Sequence, residues 1–223
     1  MVPESARPLR LLASCVVWLA ANAPALAALD WESIQLERVA PPLATELEVL
    51  FPYRNAGPTP VVIREIQTNC ECLDARASRL VVGAGESGVV RARFSVGERT
   101  GRVERIVTVV TDDGAPPCKL TLHVEIAPPA RLAPVAVEWT RGSAPAERTV
   151  EVEVAPELDV RFATLEPTAP GFTTRLEEVR PGRTYRLHVR PESTAAPANA
   201  ALRLHGRTAD GRPVVVSAYA NVR

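Results

Sequence analysis

Residues 103–126 read VERIVTVVTDDGAPPCKLTLHVEI, and this stretch decides the fold. Over 103–111 and again over 120–126, valine, isoleucine, leucine and threonine alternate with charged or polar residues, the period-two pattern of a half-buried strand. Asp112-Asp113-Gly114 supplies the turn between them. The same grammar extends outward on both sides. Strands are expected at 46–51, 60–66 and 89–96 upstream, and at 135–139, 149–154, 158–163, 184–189, 201–204 and 214–219 downstream. Short strands at this spacing, with no helical stretch between them, predict an all-β chain built from antiparallel sandwiches.

Ala127-Pro128-Pro129-Ala130 breaks the pattern, because two prolines can neither donate to a ladder nor easily continue a strand. A domain boundary is placed there, giving one domain over residues 28–128 and a second over 129–223. The halves also match in spacing. An offset of 97 sets Gly85 on Gly182, Ile63-Arg64 on Val160-Arg161 and Asp113-Gly114 on Asp210-Gly211, which points to duplication. The strand phase between Val103 and Val109 is expected to need a slip or bulge to follow that offset.

Composition narrows the function classes. The 223 residues carry 26 basic and 26 acidic side chains and are 46% hydrophobic, with 21 prolines. Zero formal charge argues against nucleic-acid binding by counterion release, and the apolar fraction argues against disorder. The first residues place Arg7 and Arg10 ahead of an apolar run over 11–20, followed by Ala25-Leu26-Ala27-Ala28. This fits a signal peptide over residues 1–27, cleaved to leave a periplasmic or extracellular chain with no transmembrane segment. Leu12-Ala13-Ser14-Cys15 offers the competing reading of a lipoprotein anchored at Cys15. Only four residues separate Arg10 from Cys15, too few for the usual apolar run.

Phe51 through Asn55-Ala56-Gly57, then Pro60-Val61-Val62-Ile63, Thr68-Asn69-Cys70-Glu71-Cys72, residues 82–85 and Thr111-Asp112-Asp113 resemble the bacterial domain of unknown function 1573 family. The resemblance covers about residues 45–126. It implies an exported, immunoglobulin-like sandwich related to hydin and major-sperm-protein domains, and no enzyme active site. Where the family typically has Cys-Gly-Cys, this chain has Cys70-Glu71-Cys72.

That pair is the most pointed chemical feature. Pro167-Thr168-Ala169 stands at the matching place in the second half, so the thiols are an addition to the scaffold. A local disulfide, a soft-metal site and a redox-active dithiol compete for it. A disulfide between i and i+2 closes a small ring and is labile. Two thiolates fall short of zinc's usual four ligands, whereas Cu(I) accepts fewer and prefers sulfur. Cys118 is expected not to bridge to either, because its turn is placed at the opposite end of the domain, roughly 20 Å or more from Cys70, whereas a disulfide needs Cα atoms within about 7 Å.

The remaining motifs read as structure. Gly83, Gly85 and Gly88 spell the dinucleotide-binding G-x-G-x-x-G, but strand-like Val89-Val90-Arg91-Ala92 follows instead of a helix. Alternation sends His123, His188 and His205 to polar faces, with no triad or metal spacing in sequence. Glu177-Glu178 and Asp112-Asp113 read as solvated pairs. Lys119 is the single lysine among the basic residues, and Arg91, Arg93, Arg183, Arg186 and Arg190 stud the sheets.

These observations favour a non-enzymatic extracytoplasmic binding or scaffolding protein with a protein partner in the cell envelope, acting through sandwich edges and loops and needing no cofactor. The alternative is a thiol-based redox or Cu(I)-binding protein using Cys70 and Cys72.

Overall fold

The structure is a computed structural model and describes residues 29–223. The proposed signal peptide and the Cys15 anchor lie outside the described residues. Within them every regular element is a strand. The first half contains β1 (Leu29–Trp31), β2 (Gln35–Ala40), β3 (Glu46–Asn55), β4 (Val61–Thr68), β5 (Leu73–Ala77), β6 (Val81–Val82), β7 (Ser87–Ser95), β8 (Gly101–Thr111) and β9 (Cys118–Ile126). The second contains β10 (Ala130–Ala133), β11 (Ala136–Trp139), β12 (Arg148–Val154), β13 (Val160–Pro167), β14 (Phe172–Arg180), β15 (Thr184–Pro191), β16 (Ala198–Thr208) and β17 (Pro213–Val222).

The hairpin expected over residues 103–126 forms as β8 and β9, in register from Gly101 opposite Ile126 to Val109 opposite Cys118. Around it, sheet β2-β9-β8-β4-β6 faces sheet β1-β3-β7-β5 across a core that includes Phe51, Phe94, Leu120 and Val124. The second half repeats the plan, with β11-β17-β16-β13 facing β10-β12-β15-β14 over Val152, Leu187, Leu202 and Leu204. Every strand pairing stays within its own half. Leu43 reaches across, packing on the second core from a loop where its φ is +61°.

Two expectations need correction. The sandwiches are not wholly antiparallel, since β2 runs parallel to β9 and β11 parallel to β17. Each enters its sheet as an added edge strand after the chain has crossed from the opposite sheet, so hairpin geometry does not constrain its direction. No slip falls between Val103 and Val109 either. Inward Val107 and Val109 on β8 keep phase with Leu204 and Gly206 on β16, and the irregularities sit on the neighbouring strands, after Ile63 on β4 and after Phe162 on β13. The strands absent from the sequence reading, β1, β2, β5, β6, β10 and β14, lie at sheet edges, where one-sided packing leaves a weaker apolar alternation.

The glycine motif resolves into packing. Gly85 turns the chain at φ +74°, and Gly88 faces Tyr53 across the β3·β7 ladder. A Cβ on Gly88 would stand 2.5 Å from the Tyr53 hydroxyl oxygen. In the second half the same rung pairs Val152 with Tyr185. One buried tyrosine fills each core layer, contributed from opposite strands in the two copies.

Candidate functional site at the Cys70–Cys72 turn

β4 leaves one sheet and β5 joins the other, and Asn69-Cys70-Glu71-Cys72 makes the crossing. Asn69 caps it on both sides. Its N–H donates to the Ile106 carbonyl at 3.1 Å, while its Oδ1 accepts the Ile106 N–H at 3.1 Å. Leu73 N–H donates to the Cys70 carbonyl at 3.2 Å, and Ser95 N–H donates to the Cys72 carbonyl at 2.8 Å. Inside this frame Cys70 and Cys72 form a disulfide, with both residues half-buried against the first core and Glu71 exposed. Each sulfur is bonded to the other, so neither offers a thiolate to Cu(I) in this form. Closing so short a loop restricts the unfolded chain by only about 1.5 kcal/mol.

The second half builds the same crossing without sulfur. Thr168 N–H donates to the Ala201 carbonyl, Thr168 Oγ1 accepts the Ala201 N–H, and Glu192 N–H donates to the Gly171 carbonyl, each at 2.9 Å. The turn is Ala169-Pro170-Gly171, two residues beyond the match read from the ungapped offset, because β13 stays in its ladder as far as Pro167 opposite Leu202. Proline rigidity and a glycine at φ +102° hold it.

Arg105 is the residue that sequence reasoning missed. Alternation along β8 places it on the core face with Val107 and Val109. Asn69 brackets Ile106, the residue after Arg105, and Phe94, which Arg105 covers, lies opposite Leu73, the residue after Cys72, so Arg105 and the cysteine turn share one end of the first core. The Arg105 guanidinium lies over the Phe94 ring, 4.6 Å from its centroid, and Nη1 donates to the Glu104 carbonyl at 2.7 Å. Its Nε is buried without a hydrogen-bond partner, and among the described residues no carboxylate pairs with the group. Burial, followed by the charge of Arg99, lowers its pKa. The offset of 97 sets Arg105 on Leu202 and Phe94 on Pro191. That arginine at an apolar-phase position was the available signal.

Cys118 keeps a free thiol, as expected. It sits opposite Val109, which lies opposite Ile66, so a full strand and four residues separate it from Cys70. Burial pushes its thiol pKa up, which keeps it protonated and inert.

The histidine reading needs one correction. His188 does lie on an outer sheet face, but its side chain is only 11% exposed, clamped between carboxylates. Nδ1 is 2.8 Å from Glu147 Oε1 and Nε2 is 2.9 Å from Glu177 Oε2. These partners come from across strands, beyond the reach of local sequence patterns. Glu147 stands where Glu48 stands in the first half, and Glu48 binds Arg91 at 2.8 Å, so a cross-strand contact to this carboxylate occurs in both halves with a different partner. Glu177 and Glu178 are structural rather than merely solvated, with Glu178 accepting from the Gly182 N–H and the Tyr185 hydroxyl.

The His188 hydrogen bond, with help from Arg186 and Arg175, holds the Glu177 pKa below its ordinary value. A depressed carboxylate contributes stability that is complete above its unfolded pKa, about 4.3, and is lost as pH falls through the folded value. Glu177→Gln is expected to melt below wild type at neutral pH, with the gap closing as pH falls below the unfolded value and through the lowered folded one. Thermal melts of both proteins across that range check this, and a pH-independent gap would contradict the assignment.

Comparison with known proteins places the first half. Residues 29–126 match the family described as protein of unknown function (DUF1573). No curated protein matches the chain. Among solved structures, a protein of unknown function from Porphyromonas gingivalis is 10% identical, with 86% of this chain and 99% of that one covered at a TM-score of 0.35. The CupB2 chaperone of Pseudomonas aeruginosa is 15% identical, with 85% and 99% covered at 0.32. The VesB protease of Vibrio cholerae is 11% identical at 0.36, and this chain spans 32% of its length. Among the described residues no helix is long and apolar enough to cross a membrane.

Proposed function

We propose that this chain, whose first sandwich matches the DUF1573 family, is a non-enzymatic extracytoplasmic binding or scaffolding protein that engages an envelope protein through sheet edges and loops. The observation that carries the reading is that the sheets of both sandwiches end in open edges, of which β5 and β14 are a corresponding pair. β5 pairs only with β7 and β14 only with β15, which leaves one flank of each strand's backbone donors and acceptors open in corresponding places of the two copies. An open flank accepts an extended segment of another chain by strand addition. The nine residues of β14 offer the longer template.

Site-specific photo-crosslinkers at Arg76 on β5 and Arg175 on β14, with a control at Glu151 on interior strand β12, test this in cells. Both edge positions are expected to capture one envelope protein in common, and the control to yield at least tenfold less of it. Silence at both edges, together with substrate turnover by the purified protein, would sink the reading.

A further inference from the structure

We propose that the Cys70–Cys72 disulfide is a site of thiol–disulfide exchange with a dithiol protein, and that Arg105 is the positioning residue that stabilises the thiolate released when the disulfide opens. This goes beyond the binding role, since it assigns chemistry to one end of one sandwich. Three observations converge on it.

The fold has no need of the sulfur bridge. Ala169-Pro170-Gly171 makes the same crossing, held by the same backbone and side-chain brackets, in the second half. The second observation is that Cys70, Cys72, Phe94 and Arg105 are all particular to the first copy and meet at one end of its core. The third is Arg105 itself. A guanidinium over the Phe94 ring, with a buried, unpartnered Nε and no carboxylate pairing with it, holds positive charge at the end of the core on which Cys70 and Cys72 pack. Relative to the crossing, where Asn69 brackets Ile106 and Thr168 brackets Ala201, the second copy has the buried Ala200 in place of Arg105. A cation beside a cysteine favours its thiolate, which is both the leaving group and the nucleophile of exchange. Glu71 carries the opposing charge but is exposed, and Arg99 adds a second cation nearby.

The exchange balances. A thiolate of the partner's dithiol bonds to one of the two sulfurs, the Cys70–Cys72 bond breaks, and its electron pair remains on the other sulfur as a thiolate facing Arg105. The partner's second thiol, after losing its proton, attacks its own sulfur in the mixed disulfide and releases the remaining cysteine. The partner leaves oxidised, and two electrons and two protons reside on Cys70 and Cys72. Asn69 and Ser95 keep their backbone bonds throughout, so the turn stays in place.

The test is a redox titration of the purified protein in glutathione buffers, with thiols trapped by alkylation and counted by mass. Wild type is expected to pass from disulfide to dithiol within the accessible range. Arg105→Leu, the residue that the offset of 97 sets at this position, is expected to lower the equilibrium constant for reduction about tenfold, equivalent to about 30 mV. It should also slow alkylation of the reduced protein at neutral pH about tenfold, with Arg105→Lys restoring most of both effects. Thermal melts verify folding, and Arg105→Gln serves if the leucine variant does not fold. A disulfide that stays closed in every buffer makes the bridge a staple and overturns the proposal. An unchanged constant and an unchanged alkylation rate in the folded Arg105 variants overturn the role of Arg105.

Discussion

Replacing Tyr53 by valine and Gly88 by tyrosine together is expected to yield a folded protein, although each change alone is severely destabilising. Tyr53 is 2% exposed and stacks near Trp31, with ring centroids 5.1 Å apart. Removing its ring empties a core layer and loses the hydroxyl's bond to the Arg79 carbonyl, for about 3 kcal/mol. Gly88→Tyr alone drives a side chain into the Tyr53 ring, since even a Cβ would lie 2.5 Å from the Tyr53 hydroxyl oxygen and 2.6 Å from Cζ. The cost of that overpacking is about 3 kcal/mol or more. In the double variant the rung takes the arrangement of the second half, where Val152 faces Tyr185 and the tyrosine hydroxyl donates to the Val160 carbonyl at 2.8 Å. Its stability is expected to return to within about 2 kcal/mol of wild type, a coupling far outside the additive range. Denaturant unfolding of the four proteins measures the cycle. Additive losses would show that the two copies do not share one packing scheme.

The second large effect is expected at Asn55, the fully buried polar residue that ends β3. Its Nδ2 donates to the Thr59 carbonyl at 2.8 Å and the Val82 carbonyl at 2.9 Å, and its Oδ1 accepts the Gly57 N–H at 2.9 Å. One side chain thus ties the β3–β4 loop to β6 on the opposite sheet. Asn55→Ala leaves these groups without partners and is expected to cost about 3 kcal/mol. Asn55→Asp is the sharper test. It keeps the shape but turns a donor towards two carbonyls into an anion facing them, which favours the protonated acid in the fold. A carboxyl whose folded pKa is raised contributes most below its unfolded value, about 3.9, and loses that contribution as pH rises. The gap between Asn55→Asp and wild type is therefore expected to widen from about pH 3.5 to pH 7. A gap that narrows would mean the side chain has left its buried position.

Much of this architecture was legible because it rests on local physics. Alternation over 103–111 and 120–126 gave the central hairpin, since a strand packed on one face must alternate. The offset between Gly85 and Gly182 matched two like turns, since both residues turn the chain at positive φ and an added Cβ would be strained at either. The edge strands were hard to read for the converse reason. Phe172 begins β14 in a stretch with little alternation, because one flank of that strand meets no neighbour.

The candidate site divides in the same way. Cys70 and Cys72 stand out in the sequence by spacing alone, because residues two apart in a turn can meet whatever the rest of the chain does. By itself the sequence determined the strand grammar, the doubling and the presence of this thiol pair. Only the tertiary structure decided that Arg105, far along the chain, covers Phe94 in the core on which Cys70 and Cys72 pack, that His188 is gripped by Glu147 and Glu177, and that Tyr53 needs Gly88. Each of these pairings runs across strands, and register between strands is set by the whole core rather than by the residues that it brings together.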